Sequence, residues 1–186
     1  MKATFANFFL LISAFLCLFT SCGPTADAPN SNRDDQLAAI NALEQKLRAQ
    51  KDVKLDTASA NALIEQSMDF VTTYPSDSLS GDILFKAADV SRGVGHYQQA
   101  IEMWDRFYRE YPTHDKVPIS LFLKAFTADK DLKDVGLAIS SYERFLLKYP
   151  DHPVAKDARF LLEILQNDQS PEELIKQFEK NNPGDE

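Results

Sequence analysis

Apolar residues in the second half of this chain recur at helical spacing. Ala100, Ile101, Trp104, Phe107, Tyr108 and Tyr111 lie at i, i+1, i+4, i+7, i+8 and i+11, and Ala138, Ile139, Tyr142, Phe145, Leu146 and Tyr149 repeat the series. Each set forms one face of an amphipathic helix. The segments before them, DILFKAADV from 82 and SLFLKAFTA from 120, are apolar at helical spacing too. Arg92-Gly93-Val94-Gly95 and the region from Asp131 to Gly136 separate the two helices of each unit. Each unit is therefore expected to be a pair of antiparallel helices joined by a short turn.

The units are copies of one another. Tyr-Pro occurs at 74–75, 111–112 and 149–150, spaced by 37 and then 38 residues, and neighbouring positions follow. A shift of 38 maps Lys86, Ala87, Ala100, Ile101, Trp104 and Phe107 onto Lys124, Ala125, Ala138, Ile139, Tyr142 and Phe145. The one-residue difference between the two spacings is placed in the loop after Pro75. Pro112 and Pro150 stop the second helix of each pair, because proline lacks the N–H and pushes the preceding residue out of helical geometry. Ala87, Ala100, Ala125 and Ala138 fall where paired helices cross, and only a methyl lets the axes approach. Trp104, Tyr142, Phe107 and Phe145 would fill the space between pairs. No single pair can bury its apolar face alone, so stacking is obligatory.

The flanks extend the array. Leu37, Ile40, Leu43 and Leu47 make one stripe of a helix from 34 to 50, read as the first of a capping pair, with a short coiled-coil seam as the other reading. Asp56 or Thr57 caps the next helix, which runs to Tyr74. Pro153 is expected in the first turn of a helix ending near Gln166. Ser170-Pro171-Glu172-Glu173 is a capping box with proline at the first helical position, opening a last helix with Leu174, Ile175 and Phe178. This makes eight helices in four pairs over 34–181, with a tail at 182–186.

Small residues at 87, 88, 100 and 125, aromatics at 107 and 145 and prolines at 112 and 150 make the pattern resemble the tetratricopeptide repeat, in a long variant with a period of 37 to 38. The resemblance covers about residues 55 to 165. It implies an all-α fold, a right-handed α-solenoid of antiparallel helix pairs whose first helices line a concave binding face. On that face it would place Asp82, Phe85, Asp89 and Arg92, then Ser120, Leu123, Thr127 and Lys130; packing between helices is an equal reading for Phe85 and Leu123. The units are also similar to those of the tetratricopeptide lipoproteins of outer-membrane β-barrel assembly and to periplasmic cell-division repeats.

Composition changes the picture at the N-terminus. Residues 8–19, FFLLISAFLCLF, form a twelve-residue apolar run after Lys2. As a helix it would span about 18 Å, short of the roughly 30 Å hydrocarbon core, so it reads as a signal peptide over 1–21. The two cysteines are Cys17, inside the run, and Cys22, at its end. Cleavage before Cys22 leaves a single cysteine, which excludes an internal disulfide. LFTSC, from 18 to 22, resembles a bacterial lipobox, which implies a diacylglycerol thioether and acylation at Cys22. Phe19 and Ser21 depart from the usual leucine and small residue, as in lipoproteins of the Bacteroidetes group. Ordinary cleavage near Ser21, with Cys22 incidental, is the alternative. Residues 22–33, whose GPTADAPNSNR run has two Pro, one Gly and no large apolar side chain, read as a flexible tether.

The charge is −8, from 20 basic and 28 acidic residues, the wrong sign for nucleic acid or an anionic leaflet. No nucleophile elbow, HExxH, CxxC or phosphate loop occurs. His114 and His152 are repeat-equivalent, too far apart to share a metal, and read as turn residues like His96. The expectation is a non-enzymatic adaptor without cofactor or metal. The lipid would anchor it at the outer membrane, with its domain in the periplasm or on the cell surface, bound to an envelope protein or peptide. A ligand- or glycan-binding lipoprotein and an accessory subunit of a periplasmic enzyme are the alternatives.

Overall fold

The computed structural model describes residues 31–49 and 56–167. The signal-peptide, lipidation and tether assignments up to residue 30, the capping helix from Ser170 and the tail lie outside them. The described residues form seven helices: α1 (Ser31–Arg48), α2 (Thr57–Thr73), α3 (Ser80–Gly93), α4 (Tyr97–Glu110), α5 (Val117–Thr127), α6 (Val135–Lys148) and α7 (Ala155–Asn167). From α2 onward each helix packs on the next in sequence, as expected for an all-α tetratricopeptide-like repeat. Ile40 of α1 joins the same core, flanked by Leu37, Leu43 and Leu47.

α1 starts at Ser31, so residues 31–33 are helical rather than part of a tether. Arg33 explains the early start: its Nε donates to Asp77 Oδ2 at 2.6 Å and its Nη1 to Asp34 Oδ1 at 2.9 Å. Asp56 caps α2, its carboxylate accepting from both the N–H (3.0 Å) and the hydroxyl (2.6 Å) of Ser59. α7 begins at Ala155, leaving Pro153 in the preceding turn.

The three Tyr-Pro turns share one hydrogen-bond pattern. The N–H groups of Tyr74, Tyr111 and Tyr149 donate to the carbonyls of Phe70, Phe107 and Phe145 at 2.8, 2.9 and 2.8 Å. Asp77, His114 and His152 then each donate their backbone N–H to the tyrosine carbonyl three residues earlier. Their side chains act alike as well. Asp77 Oδ1 accepts the N–H of Leu79 at 2.9 Å, and the Nδ1 atoms of His114 and His152 accept those of Lys116 and Val154 at 3.2 and 3.3 Å. Both histidines also sit edge-on to the preceding phenylalanine, Phe107 or Phe145. They are turn-forming residues, as the sequence suggests, and an aspartate does the same work one repeat earlier.

All eight small or aromatic positions assigned to repeat packing, Ala87, Ala100, Trp104, Phe107, Ala125, Ala138, Tyr142 and Phe145, are buried. Pro112 and Pro150 stand exposed just after the capping tyrosines of α4 and α6. A tyrosine hydroxyl ties successive turns together, since Tyr111 donates to Pro75 O at 3.0 Å.

The one-residue difference between the two spacings does not fall in the loop after Pro75. α3 and α5 start at Ser80 and Val117, 37 residues apart, whereas the caps of α4 and α6, His96 and Asp134, are 38 apart. Between them, residues Ala128–Leu132 continue α5 as one π-helical turn. A π turn adds a residue without breaking the helix, so it absorbs the insertion. It closes on Lys133, at φ 60°, with the Asp134 N–H donating to Ala128 O at 2.9 Å. Asp129 within this turn is buried, close to Tyr142, whose phenol is pushed above its usual range by burial first and the Asp129 carboxylate second.

Candidate protein-binding surface

Side chains on the first helices of the pairs link one repeat to the next. Lys86 of α3 donates to Glu44 of α1 at 3.0 Å, and Arg92 Nε donates to Asp131 Oδ2, in the π turn, at 2.6 Å. Lys116, just before α5, pairs with Asp82 of α3, which holds that carboxyl below its usual range. Two cations also cover aromatic rings: Arg92 lies 5.1 Å from the Phe126 centroid and Lys116 lies 5.5 Å from that of Phe85. Such partly exposed pairs contribute about 1 kcal/mol or less each, and their larger effect is to fix the spacing of α1, α3 and α5.

The groove residues expected from sequence divide into three groups. Asp82, Asp89, Arg92 and Lys130 reach solvent, and Lys130 Nζ lies 2.9 Å from Asp129 Oδ2. Leu123 is half-buried against the core. Phe85, Ser120 and Thr127 line no open surface: their exposures are 9%, 0% and 0%. Phe85 packs edge-on to Phe107, and the Ser120 hydroxyl donates to Val117 O at 2.7 Å.

The π turn explains why Ser120 and Thr127 of the second set turn inward. Matching α3 to α5 with a shift of 38 reads α5 one residue too far along, and one residue is about 100° of helix rotation. At the 37-residue offset Phe85 corresponds to Phe122, which packs edge-on to Phe145 at 5.9 Å as Phe85 packs on Phe107 at 5.5 Å. Ala88, rather than Ala87, then corresponds to Ala125. The positions equivalent to Asp82, Phe85, Asp89 and Arg92 become Ile119, Phe122, Phe126 and Asp129.

The pairings of Lys86, Lys116 and Asp131, which shape this face, have no common period: their partners lie 42, 34 and 39 residues away. Gly81 is a further position with a packing reason. A Cβ there would stand 2.9 Å from His114 Cδ2, so the first turn of α3 lies against the turn before α5.

Among the described residues, no group of three His, Cys, Asp or Glu side chains is placed to hold a metal ion, and no helix is long and apolar enough to cross a membrane. No curated protein matches the chain. Residues 120–152 match the tetratricopeptide repeat family, a span that runs from Ser120 in α5 through the π turn and α6 to His152. The matched unit is one helix pair with its closing Tyr-Pro turn, and α2 and α4 end in the same turn. The described residues thus form an all-α, tetratricopeptide-like helical repeat, one unit of which is similar to the tetratricopeptide repeat, a class of repeat that generally mediates protein–protein interaction.

Proposed function

We propose that this chain is a membrane-anchored adaptor of the bacterial cell envelope, held by a lipid on Cys22 and docking another envelope protein on the α1–α3–α5 face. Outer-membrane protein assembly is the setting we favour. The observation that carries the reading is the face itself: three first helices held side by side by ion pairs, leaving charged and apolar positions open between them. The tetratricopeptide match supports protein binding as the activity. The absence of catalytic motifs from the sequence supports a non-enzymatic role. For the anchor and the location, the support is the apolar run, the lone mature cysteine and the lipobox resemblance.

A photo-reactive residue at Lys86 tests the face, with one at the exposed Glu102 of α4 as control. Discrete protein adducts in intact cells from position 86 and not 102 are expected; adducts from neither, or equally from both, overturn the reading. Replacing Cys22 with Ser should abolish incorporation of labelled fatty acid, and unchanged labelling would sink the anchor.

A further inference from the structure

The α1–α3–α5 face holds a pocket of about 230 Å³ between α1, α2 and α3, with Leu47, Leu63 and Val90 as its apolar surface. Charged groups stand around it, and they are unevenly matched. Glu44 engages both cations of the wall, Lys86 at 3.0 Å and Arg48 at 3.2 Å. The next cations along the face are also engaged, Arg92 by Asp131 and Lys116 by Asp82. Asp89 lines the same pocket and, among the described residues, has no ion pair and no hydrogen bond. It stands exposed at the pocket rim, where the desolvating effect of the surrounding protein raises its pKa despite the positive charges of Arg92 and Lys116 nearby.

A carboxylate with no donor beside an apolar surface is a poor place for a hydrocarbon, which would remove its water and supply no donor. An acidic group would be repelled, by Asp89 and by a chain of net charge −8. What fits is a side chain apolar along its stem and cationic at its tip. We infer that this pocket receives a lysine or arginine side chain of the partner protein, with the aliphatic stem on Leu47, Leu63 and Val90 and the charged tip on Asp89. The inference rests on the adaptor reading and specifies its partner: a segment that presents a basic residue with apolar neighbours.

The probe is a blocked pentapeptide, Ala-Leu-Lys-Leu-Ala, titrated into the full chain in detergent and followed by the methyl resonances of Leu47, Leu63 and Val90. A second peptide carries Gln in place of Lys. The lysine peptide should shift those methyls and bind about tenfold more tightly than the glutamine peptide, the change expected from one charge-assisted contact. Asp89→Asn, which keeps the shape, should erase that difference. Equal binding of the two peptides, shifts confined to other methyls, or an unchanged preference in Asp89→Asn would each overturn the inference. The two readings fail separately. Adducts at position 86 that persist undiminished in Asp89→Asn overturn the lysine pocket and leave the adaptor standing. A wild-type chain that prefers the lysine peptide yet forms no adducts overturns the adaptor and leaves the pocket chemistry.

Discussion

Arg92 on α3 and Asp131 in the π turn after α5 form an ion pair at 2.6 Å, joining residues 39 apart in the chain across two successive repeats. The same guanidinium covers the Phe126 ring, so the pair sits on an aromatic base rather than free in water. Both side chains remain partly exposed. A double-mutant cycle of Arg92→Ala and Asp131→Ala should therefore return a coupling near 1 kcal/mol by urea unfolding, shrinking as salt is raised. Additive single effects would show that the pair does not bind the repeats together.

The π turn makes a sharper prediction. If Ala128–Leu132 absorbs one surplus residue, deleting exposed Lys130 should let the segment close as ordinary α-helix and leave the α5–α6 packing in register. The deletion variant should melt cooperatively within a few degrees of the parent. Deleting Asp105 inside α4 should abolish the transition, because every later residue of that helix would rotate by about 100°. Equal damage from both deletions would refute the assignment.

Gly81→Ala gains helix propensity of about 1 kcal/mol, yet its new methyl would meet His114 Cδ2 at 2.9 Å and Tyr111 Cδ1 at 3.4 Å. The His114 ring is held by its Nδ1 contact with the Lys116 N–H and by the edge of Phe107, so it has little room to retreat. Overpacking of this kind costs about 1–3 kcal/mol, which wins over propensity. Gly81→Ala should lower the melting temperature. Adding His114→Ala should make the Gly81 substitution nearly neutral, and a clash elsewhere would leave its cost unchanged.

Asp56 ties acid stability to the start of α2. The Ser59 hydroxyl, then the Ser59 N–H and then Lys46 lower its pKa from 3.8 to about 2. A carboxyl whose folded pKa is depressed stabilises the fold above its unfolded pKa and loses that contribution as pH falls through the folded one. The melting temperature of the parent should exceed that of Asp56→Asn by its full margin above about pH 4. The margin should narrow between about pH 4 and about pH 2. A pH-independent margin would show that the carboxylate charge plays no part in the cap.

Much of this fold is legible in the sequence because its information is local. Helical spacing of Ala100, Trp104 and Phe107, and again of Ala138, Tyr142 and Phe145, depends only on 3.6 residues per turn, and all six side chains are buried. Tyr-Pro marks where each second helix ends, because proline acts on its immediate neighbours. Which face of α5 points outward is not local. It depends on whether the one-residue difference is a residue missing from the loop after Pro75 or one added in the π turn at Ala128–Leu132, and Tyr-Pro spacing is the same in both cases. Only the packing of Phe122 on Phe145, matching Phe85 on Phe107, selects the second and carries Ser120 and Thr127 into the interior. Asp89 is the same kind of case. The sequence says carboxylate, but its lack of an ion pair among the described residues follows from where Glu44, Asp131 and Asp82 send the nearby cations, and those distances exist only once the helices are stacked.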